Sequence, residues 1–181
     1  MRTFPASLPK ADGLGFKYIY TPDGFSDGAT NDAEAKKVIE ELNLHFDKYY
    51  DKNTGKLSES VGVVAFGEKQ LNYILSLKNK DKELCEKIKT AIANFDDLEE
   101  RLIFFKTIET VQGQEIDHLI ISLTYGRNKS GSVSGAFGEL NRGGDGGRLG
   151  ECIFNVAVTR AKSSVTVVTS VEESDITNSN V

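Results

Sequence analysis

Apolar and polar residues alternate along the chain with two different periods. Runs rich in β-branched and aromatic residues predict five strands, at 15–22, 61–66, 101–109, 117–126 and 163–170. Helical spacing of apolar residues predicts three helices, which lie between residue 32 and Tyr49, at 67–80 and at 81–95. Either Asn31 or Asp32 caps the first helix. Strands that alternate with helices predict an α/β fold with a mostly parallel sheet.

Two segments interrupt this alternation. Residues 52–60 are polar and predict a loop, and residues 126–150 contain nine of the seventeen glycines. A loop as long as the second one is usually functional or mobile when it occurs inside a compact domain. The last residues, 171–181, lose all periodicity, so we expect one domain over 1–170 and a frayed tail after it.

The segment FNVAVTRAKSSVTVVTS, residues 154–170, places a strong cation between a predicted helix and a predicted buried strand. Arg160 lies near the junction of the two elements. A cation at the carboxyl end of a helix is stabilised by the helix dipole, so Arg160 could be an ordinary capping residue. A functional role for it depends on the other segments of the chain.

The composition is that of an ordinary soluble domain, because 39% of the 181 residues are hydrophobic and 27% are charged. No apolar run approaches the roughly 20 residues that cross a bilayer, and the amino terminus lacks the apolar core of a signal peptide. The two cysteines and two histidines have no metal-ligand spacing. We therefore expect a cytoplasmic protein with no membrane partner and no metal ligands of its own.

The charge is distributed unevenly along the chain. The net charge is −5, but residues 127–162 contain six cations and three anions, so this segment carries +3 and the remainder carries −8. An acidic body with one basic segment is typical of a protein that meets phosphate groups at a defined place.

The sequence contains no recognisable nucleotide-binding loop. Neither G-x-x-x-x-G-K-[ST] nor a G-x-G-x-x-G after a predicted strand is present. Three other segments occur in a fixed order: VGVVAFGEKQ at 61–70, KTIETVQGQEIDHLIIS at 106–122 and NVAVTRAK at 155–162. Taken singly, they are explained by a strand-to-helix turn, a polar loop and a helix end.

Together, the three segments resemble motifs IV, V and VI of superfamily 1 helicases, in the branch of the nonsense-mediated-decay RNA helicase and its large bacterial relatives. The stretch AFGELNRGGDGG at 136–147 is similar to a signature that precedes motif VI in the bacterial relatives. The resemblance implies a RecA-like fold, with three α/β/α layers around a mostly parallel sheet. It also implies the second of two such domains, so we expect this chain to be inactive without the first domain and its Walker motifs.

The resemblance assigns roles to individual residues. Arg160 would be the catalytic arginine finger, acting on ATP and Mg²⁺ that are held mainly by the first RecA-like domain. Glu115 would approach the ribose of ATP, and Gly113 and Gln114 would lie in the same nucleotide-binding loop. Single-stranded DNA or RNA would be contacted by Gln70, Thr107, Gln112, Arg142, Arg148, Asn155 and Thr159.

The sequence departs from the family pattern at three places. Residues 65–67, Ala-Phe-Gly, replace a frequent Ser/Thr-Pro-Tyr, while Gln114 and Ile153 each stand where an arginine is common. The departures at Phe66 and Gln114 support a second hypothesis, a degenerate helicase-like module that binds nucleic acid or protein without ATP turnover. A stand-alone flavodoxin-like ligand domain would also fit the sheet, but it leaves Arg160 and the QGQE segment unexplained.

Overall fold

The strands and helices of the chain form a RecA-like α/β fold. The computed structural model describes residues 15–27, 29–95, 102–111, 115–130 and 155–172. Its strands are β1 (Gly15–Tyr20), β2 (Tyr50–Asp51), β3 (Lys56–Leu57), β4 (Val61–Ala65), β5 (Ile103–Thr107), β6 (Ile116–Gly126) and β7 (Ala161–Ser170). Five of these form a sheet in the order β1-β7-β6-β4-β5, and all neighbours in it are parallel. The predicted fold class is confirmed.

Three helices accompany the sheet: α1 (Asp32–Tyr49), α2 (Glu68–Lys80) and α3 (Lys82–Ala93). Asn31 caps α1, because its side-chain oxygen accepts a hydrogen bond of 3.2 Å from the main-chain N–H of Glu34. Asp81 separates α2 from α3 and caps α3 by accepting the N–H of Leu84 over 3.0 Å. Of the two caps predicted for α1, Asn31 is therefore the one that the structure uses.

The sheet buries apolar side chains on both faces. Because side chains alternate along a strand, Val63 of β4 packs with the three helices, whereas its neighbour Val64 packs on the other face. The helical face includes Phe46, Ile74 and Leu84, one from each helix. The second core combines strand residues with the turn after β5 and the turn before β7: Val64, Phe104, Ile108, Ile121, Ala157 and Val167.

The predicted loop at 52–60 contains part of a small hairpin. β2 and β3 pair antiparallel, with Tyr50 opposite Leu57. Gly55 makes the turn with a φ of 68°, a conformation that glycine adopts without strain. Leu57 is buried in the helical core, so one apolar residue in an otherwise polar segment is enough to draw the segment onto the domain.

Two element ends also differ from the prediction. The strand predicted at 101–109 ends at Thr107, and Ile108–Thr110 form one turn of 3-10 helix. β7 begins at Ala161, so the helix expected at the start of 154–170 is a single turn at 155–158. The other predicted strands and helices are confirmed to within two residues at their described ends.

No helix in the described ranges combines the length and apolar character needed to cross a membrane. The glycine-rich segment 126–150 is described only as far as residue 130, and the tail only as far as residue 172.

Candidate functional site

The parallel strands divide the predicted site residues into two groups. Thr107 ends β5 and lies level with Ser122 of β6, because both pair with the last residue of β4. Arg160 and Glu115 lie at the opposite end, directly before β7 and β6. Ser122 lies six positions after Ile116 in β6, which is about 20 Å at ~3.3 Å per residue. Below, the surface where β4–β7 end is called the carboxyl end of the sheet, and the surface where β6 and β7 begin is called the amino end.

Arg160 occupies a tight turn at the amino end. Its main-chain N–H donates to the carbonyl of Ala157 over 3.1 Å, and its own carbonyl accepts the N–H of Ile116 over 3.0 Å. The side chain is half-buried, and its Nε is buried without a hydrogen-bond partner. No carboxylate of the described residues pairs with the guanidinium. A buried donor without a partner costs about 1–3 kcal/mol, and an anionic group from outside the domain would satisfy it.

The turn that holds Arg160 is tighter than a regular helix. A helix through residue 160 would place its side chain above that of Val156, but the N–H of Arg160 bonds to residue 157 instead. Arg160 and Val156 are therefore not stacked one above the other by a regular helical turn. One turn at 155–158 aligns few peptide dipoles, so it offers a cation less stabilisation than a full helix does.

Glu115 reaches the same surface through the pairing of β6 with β7. It precedes Ile116, which lies opposite Ala161. Its side chain is 70% exposed, and its Oε2 lies 4.0 Å from Nζ of Lys162. An exposed ion pair of this length contributes little to stability, so the carboxylate can accept hydrogen bonds from a ligand hydroxyl.

Asn155 and Thr159 flank the turn before β7, and both are exposed. The N–H of Thr159 donates to the carbonyl of Asn155 over 2.9 Å, and its Oγ1 donates to the carbonyl of Val156 over 3.0 Å. The hydroxyl of Thr159 thus closes the turn that precedes Arg160. A role in positioning that loop is consistent with this geometry, and contact with nucleic acid stays a prediction for both residues.

At the carboxyl end, Thr107 is half-buried, and its Oγ1 lies 3.1 Å from Oγ1 of Thr110. Gly67 precedes α2, and the space that a Cβ would occupy there is open. Phe66 is only 3% exposed, and its ring meets that of Tyr125 edge-on with centroids 6.2 Å apart. The departure at 65–67 from the family pattern therefore places an aromatic ring in the core and leaves a glycine at the surface.

Gln70 lies inside the domain, and its contact with nucleic acid stays a prediction. Its side chain is completely buried. Oε1 accepts the main-chain N–H of Asn31 over 2.8 Å, and Nε2 donates to the carbonyl of Asn31 over 3.0 Å and to Oγ of Ser122 over 3.1 Å. All its polar atoms are engaged inside the domain, so Gln70 joins α2 to α1 and β6 in this conformation.

One buried carboxylate was not identified from the sequence. Glu34 is fully buried in the first turn of α1, and its oxygens accept hydrogen bonds from β6 and β7. A signal was present, because Glu34 shares a helical face with Val38 and Leu42, and a carboxylate in an apolar stripe is informative. It also lies three residues after the cap Asn31, where a capping box has its acidic residue.

Five predicted site residues lie outside the described residues: Gln112, Gly113, Gln114, Arg142 and Arg148. Among the described residues, no three His, Cys, Asp or Glu side chains lie close enough to hold a metal ion together. The described groups that fit a phosphorylated ligand are thus the guanidinium of Arg160 and the carboxylate of Glu115, one suited to the anion and the other to a sugar hydroxyl.

Comparisons with known proteins identify a family and a relative for most of the chain. A family model described as an AAA domain matches residues 21–172 of the chain. An uncharacterized ATP-dependent helicase of Mycoplasma genitalium is 30% identical to the chain over 148 residues. The aligned region is 79% of this chain and 11% of that helicase, so the chain spans a small part of the length of its relative.

Proposed function

The chain is a superfamily 1 helicase-like domain that belongs to the AAA domain family, and on this premise we propose that it is the second motor domain of an ATP-dependent helicase or translocase. In this proposal the domain supplies an arginine finger to ATP and part of the track for single-stranded DNA or RNA. The name of the Mycoplasma relative, an uncharacterized ATP-dependent helicase, agrees with this assignment.

The observation that carries the proposal is the guanidinium of Arg160 at the amino end, whose Nε is buried without a partner and which pairs with no carboxylate of the described residues. Phosphoryl transfer spreads negative charge over the γ-phosphate oxygens, and a planar guanidinium can engage two of them at once. The buried Nε without a partner supports a role in which the partner comes from another domain. Glu115 lies directly before the neighbouring strand, so one surface offers both a cation for the phosphates and an acceptor for the ribose.

ATP and Mg²⁺ would be held mainly by a first RecA-like domain, because this chain contains no phosphate-binding loop. Arg160 and Glu115 would then face that domain across the nucleotide. The half-buried guanidinium stem limits the directions that the side chain can take, which favours a fixed approach to the phosphates.

The nucleic-acid track would cross the carboxyl end, where Thr107 lies. Hydroxyl and main-chain groups contact phosphates and sugars without selecting a base sequence, as a translocating motor requires. The proposal therefore places ATP and the strand at opposite ends of β6, about 20 Å apart.

One observation favours the second hypothesis, a helicase-like module without turnover. The ring of Phe66 is buried, so the turn at 65–67 offers no exposed aromatic ring on which a base could stack. A strand track weakened at this turn would fit a domain that has lost its motor function.

ATP turnover by the longer protein that contains this chain separates the two hypotheses. With single-stranded oligonucleotide present, the motor hypothesis expects turnover that falls about a thousandfold or more in Arg160→Ala. Lys89→Ala is the control, because it removes one positive charge from an exposed position on α3. Absence of turnover in the unaltered longer protein, or full turnover in Arg160→Ala, would support the non-catalytic module.

A further inference from the structure

Glu34 is a carboxylate buried in the interior of the domain. Its side chain has no exposed surface, yet it lies beneath the carboxyl end of the sheet. Oε2 accepts Oγ–H of Ser122 and the main-chain N–H of Thr124, each over 2.7 Å. Oε1 accepts the main-chain N–H of Ser170 over 3.0 Å and Nδ2 of Asn31 over 3.2 Å. One side chain of α1 therefore holds the ends of both β6 and β7.

The same contacts continue into α2 and close a ring. Ser122 donates to Glu34 and accepts from Gln70, which in turn bonds to both main-chain groups of Asn31. Asn31 also donates to Oγ of Ser170 over 2.8 Å. We call Asn31, Glu34, Gln70, Ser122 and Ser170 the buried polar network. It joins the starts of α1 and α2 to the ends of β6 and β7, so none of these four segments can shift alone.

The main chain that Glu34 holds is not in a relaxed strand conformation. Thr124 has a φ of 71°, a region that β-branched residues rarely adopt. The pairing of β6 with β7 is interrupted between Ser122 and Gly126. Oγ1 of Thr124 is buried without a hydrogen-bond partner. Such a conformation persists only where the surroundings impose it, and the hydrogen bond from the N–H of Thr124 to Glu34 is a contact that does so.

We propose that Glu34 is a positioning residue, whose buried carboxylate sets the main-chain geometry of the carboxyl end at Thr124 and Ser170. The position matters because β6 leads from Thr124 into the glycine-rich segment, and because Gln70 lies in the first turn of α2, beside the turn at 65–67. The inference rests on the proposed function only in assigning the carboxyl end to the nucleic-acid strand.

If Glu34 sets this geometry, its protonation state should affect the carboxyl end of the sheet. Every group that contacts the carboxylate from α1, α2, β6 or β7 is uncharged, and no cation of the described residues pairs with it. Burial raises the pKa of Glu34 to about 7, although the hydrogen bonds from Ser122, Thr124 and Ser170 oppose this rise. The ionised carboxylate only accepts hydrogen bonds, whereas the protonated group also carries a donor, so the hydrogen bonds to Thr124 and Ser170 should change as Glu34 titrates.

Nuclear magnetic resonance of the full 181-residue chain tests the inference without nucleic acid or ATP. In the unaltered chain, the amide signals of Thr124 and Ser170 should titrate together with a midpoint of about 7. In Glu34→Gln the titration should vanish, because the amide cannot ionise. Its NH₂ also replaces one acceptor, so hydrogen exchange at Thr124 or Ser170 should accelerate by about tenfold or more.

Glu41→Gln is the matched control, because Glu41 is a nearly buried carboxylate on the same helix that pairs with Lys17 over 2.6 Å. It should leave both titrating signals in place. Equal acceleration of exchange at Thr124 and at Val63 of β4 would mean global loss of stability and would overturn the inference. So would amides that do not titrate in the unaltered chain, a measurement that requires no variant to fold. Neither result bears on Arg160, so the inference can fail while the proposed function stands.

Discussion

The main-chain N–H of Ile116 donates a hydrogen bond of 3.0 Å to the carbonyl oxygen of Arg160. This contact joins the first residue of β6 to the residue before β7, so Glu115 and Arg160 reach the same surface although 45 positions separate them in the sequence. A parallel sheet brings the starts of its strands together in this way. The proximity of the two residues is thus a consequence of the fold, and their joint action on a nucleotide is what the experiments below test.

The first prediction concerns the geometry of the charged group at position 160. In the longer protein, Arg160→Lys and Arg160→Ala should both lower ATP turnover strongly, because an ammonium keeps the charge but loses the planar fork. Single-strand binding without nucleotide should change little in either variant. The measurements are steady-state turnover and melting temperature for the two variants side by side.

A capping role for Arg160 predicts the opposite pattern. Lysine would then restore the function, and the loss in Arg160→Ala would follow a stability change of about 0.3–1 kcal/mol. Full activity in Arg160→Lys would show that Arg160 is a capping residue and not an arginine finger.

The second prediction is that this chain alone does not hydrolyse ATP. It contains no phosphate-binding loop, and an arginine finger acts only on a nucleotide that another element holds. Phosphate release by the purified chain should equal that of a buffer blank. Release above the blank that survives Arg160→Ala would contradict the two-domain proposal.

The third prediction concerns binding of single strands by the isolated chain. Binding should be weak, because a domain with a net charge of −5 neutralises few phosphates. It should also decline as salt increases, with a shallow slope of about 0.7 per neutralised phosphate. Fluorescence anisotropy of a labelled oligonucleotide across a salt series measures both. Micromolar affinity at physiological salt that does not depend on ionic strength would contradict weak, electrostatic binding by the isolated chain.

Local pattern predicted the strands well because each strand of this sheet is a run rich in β-branched, aromatic or other apolar residues. Val61–Ala65 is apolar throughout, as expected for a parallel strand that is buried on both faces. Asn31 was one of the two caps predicted for α1, because capping depends on residues three positions apart. Predictions that rest on neighbours in the sequence succeeded here for that reason.

The role of Gln70 could not be predicted in the same way. Its partner Ser122 lies 52 positions later in the chain, and Glu34 contacts Ser170 across 136 positions. The resemblance to motif IV indicated that Gln70 matters, but not that its amide is turned inward. Only the pairing of α1 with the ends of β6 and β7 converts two polar helix residues into a buried network.

The fourth prediction uses Gly62, in the middle of β4. A Cβ at this position would lie 2.4 Å from Cζ of Phe104, which is itself buried. Gly62→Ala should therefore lower the free energy of unfolding by about 1–3 kcal/mol, as overpacked cores do. Urea denaturation measures this loss.

Phe104→Leu provides the matched test, since a smaller side chain removes the clash. The double variant should lose less stability than the sum of the two single variants, because the added methyl group fills part of the space. If the loss in the double variant equals the sum of the two single losses, Phe104 does not limit the space at Gly62. Gly67→Ala serves as the comparison, because no atom lies within 4 Å of its added Cβ.

The fifth prediction concerns two buried groups that make stability depend on pH in opposite directions. Burial raises the pKa of Glu34 from 4.5 to about 7. Burial also lowers the pKa of His45 from 6.5 to about 4, although the hydrogen bond of 2.9 Å between its Nε2 and the carbonyl of Glu59 opposes this change. Between pH 4.5 and 7, folded Glu34 keeps a proton that the unfolded chain releases, so its contribution to stability falls as the pH rises. Between pH 4 and 6.5, the unfolded chain protonates His45 while the folded domain does not, so that contribution falls as the pH drops.

In the shared window from pH 4.5 to 6.5 the two contributions therefore oppose each other, each changing by about 1.4 kcal/mol per pH unit. Glu34→Gln removes one of them, so its deficit in unfolding free energy relative to the unaltered chain should grow as the pH falls through this window. His45→Gln should show the reverse, a deficit that shrinks as the pH falls. Only the unaltered chain contains His45, which must stay unprotonated in the folded domain. Urea denaturation at pH 4.5, 5.5 and 6.5 gives both differences, and groups common to all the chains cancel in them. Deficits that stay constant over the three pH values would mean that neither group is held away from its ordinary pKa in the folded domain.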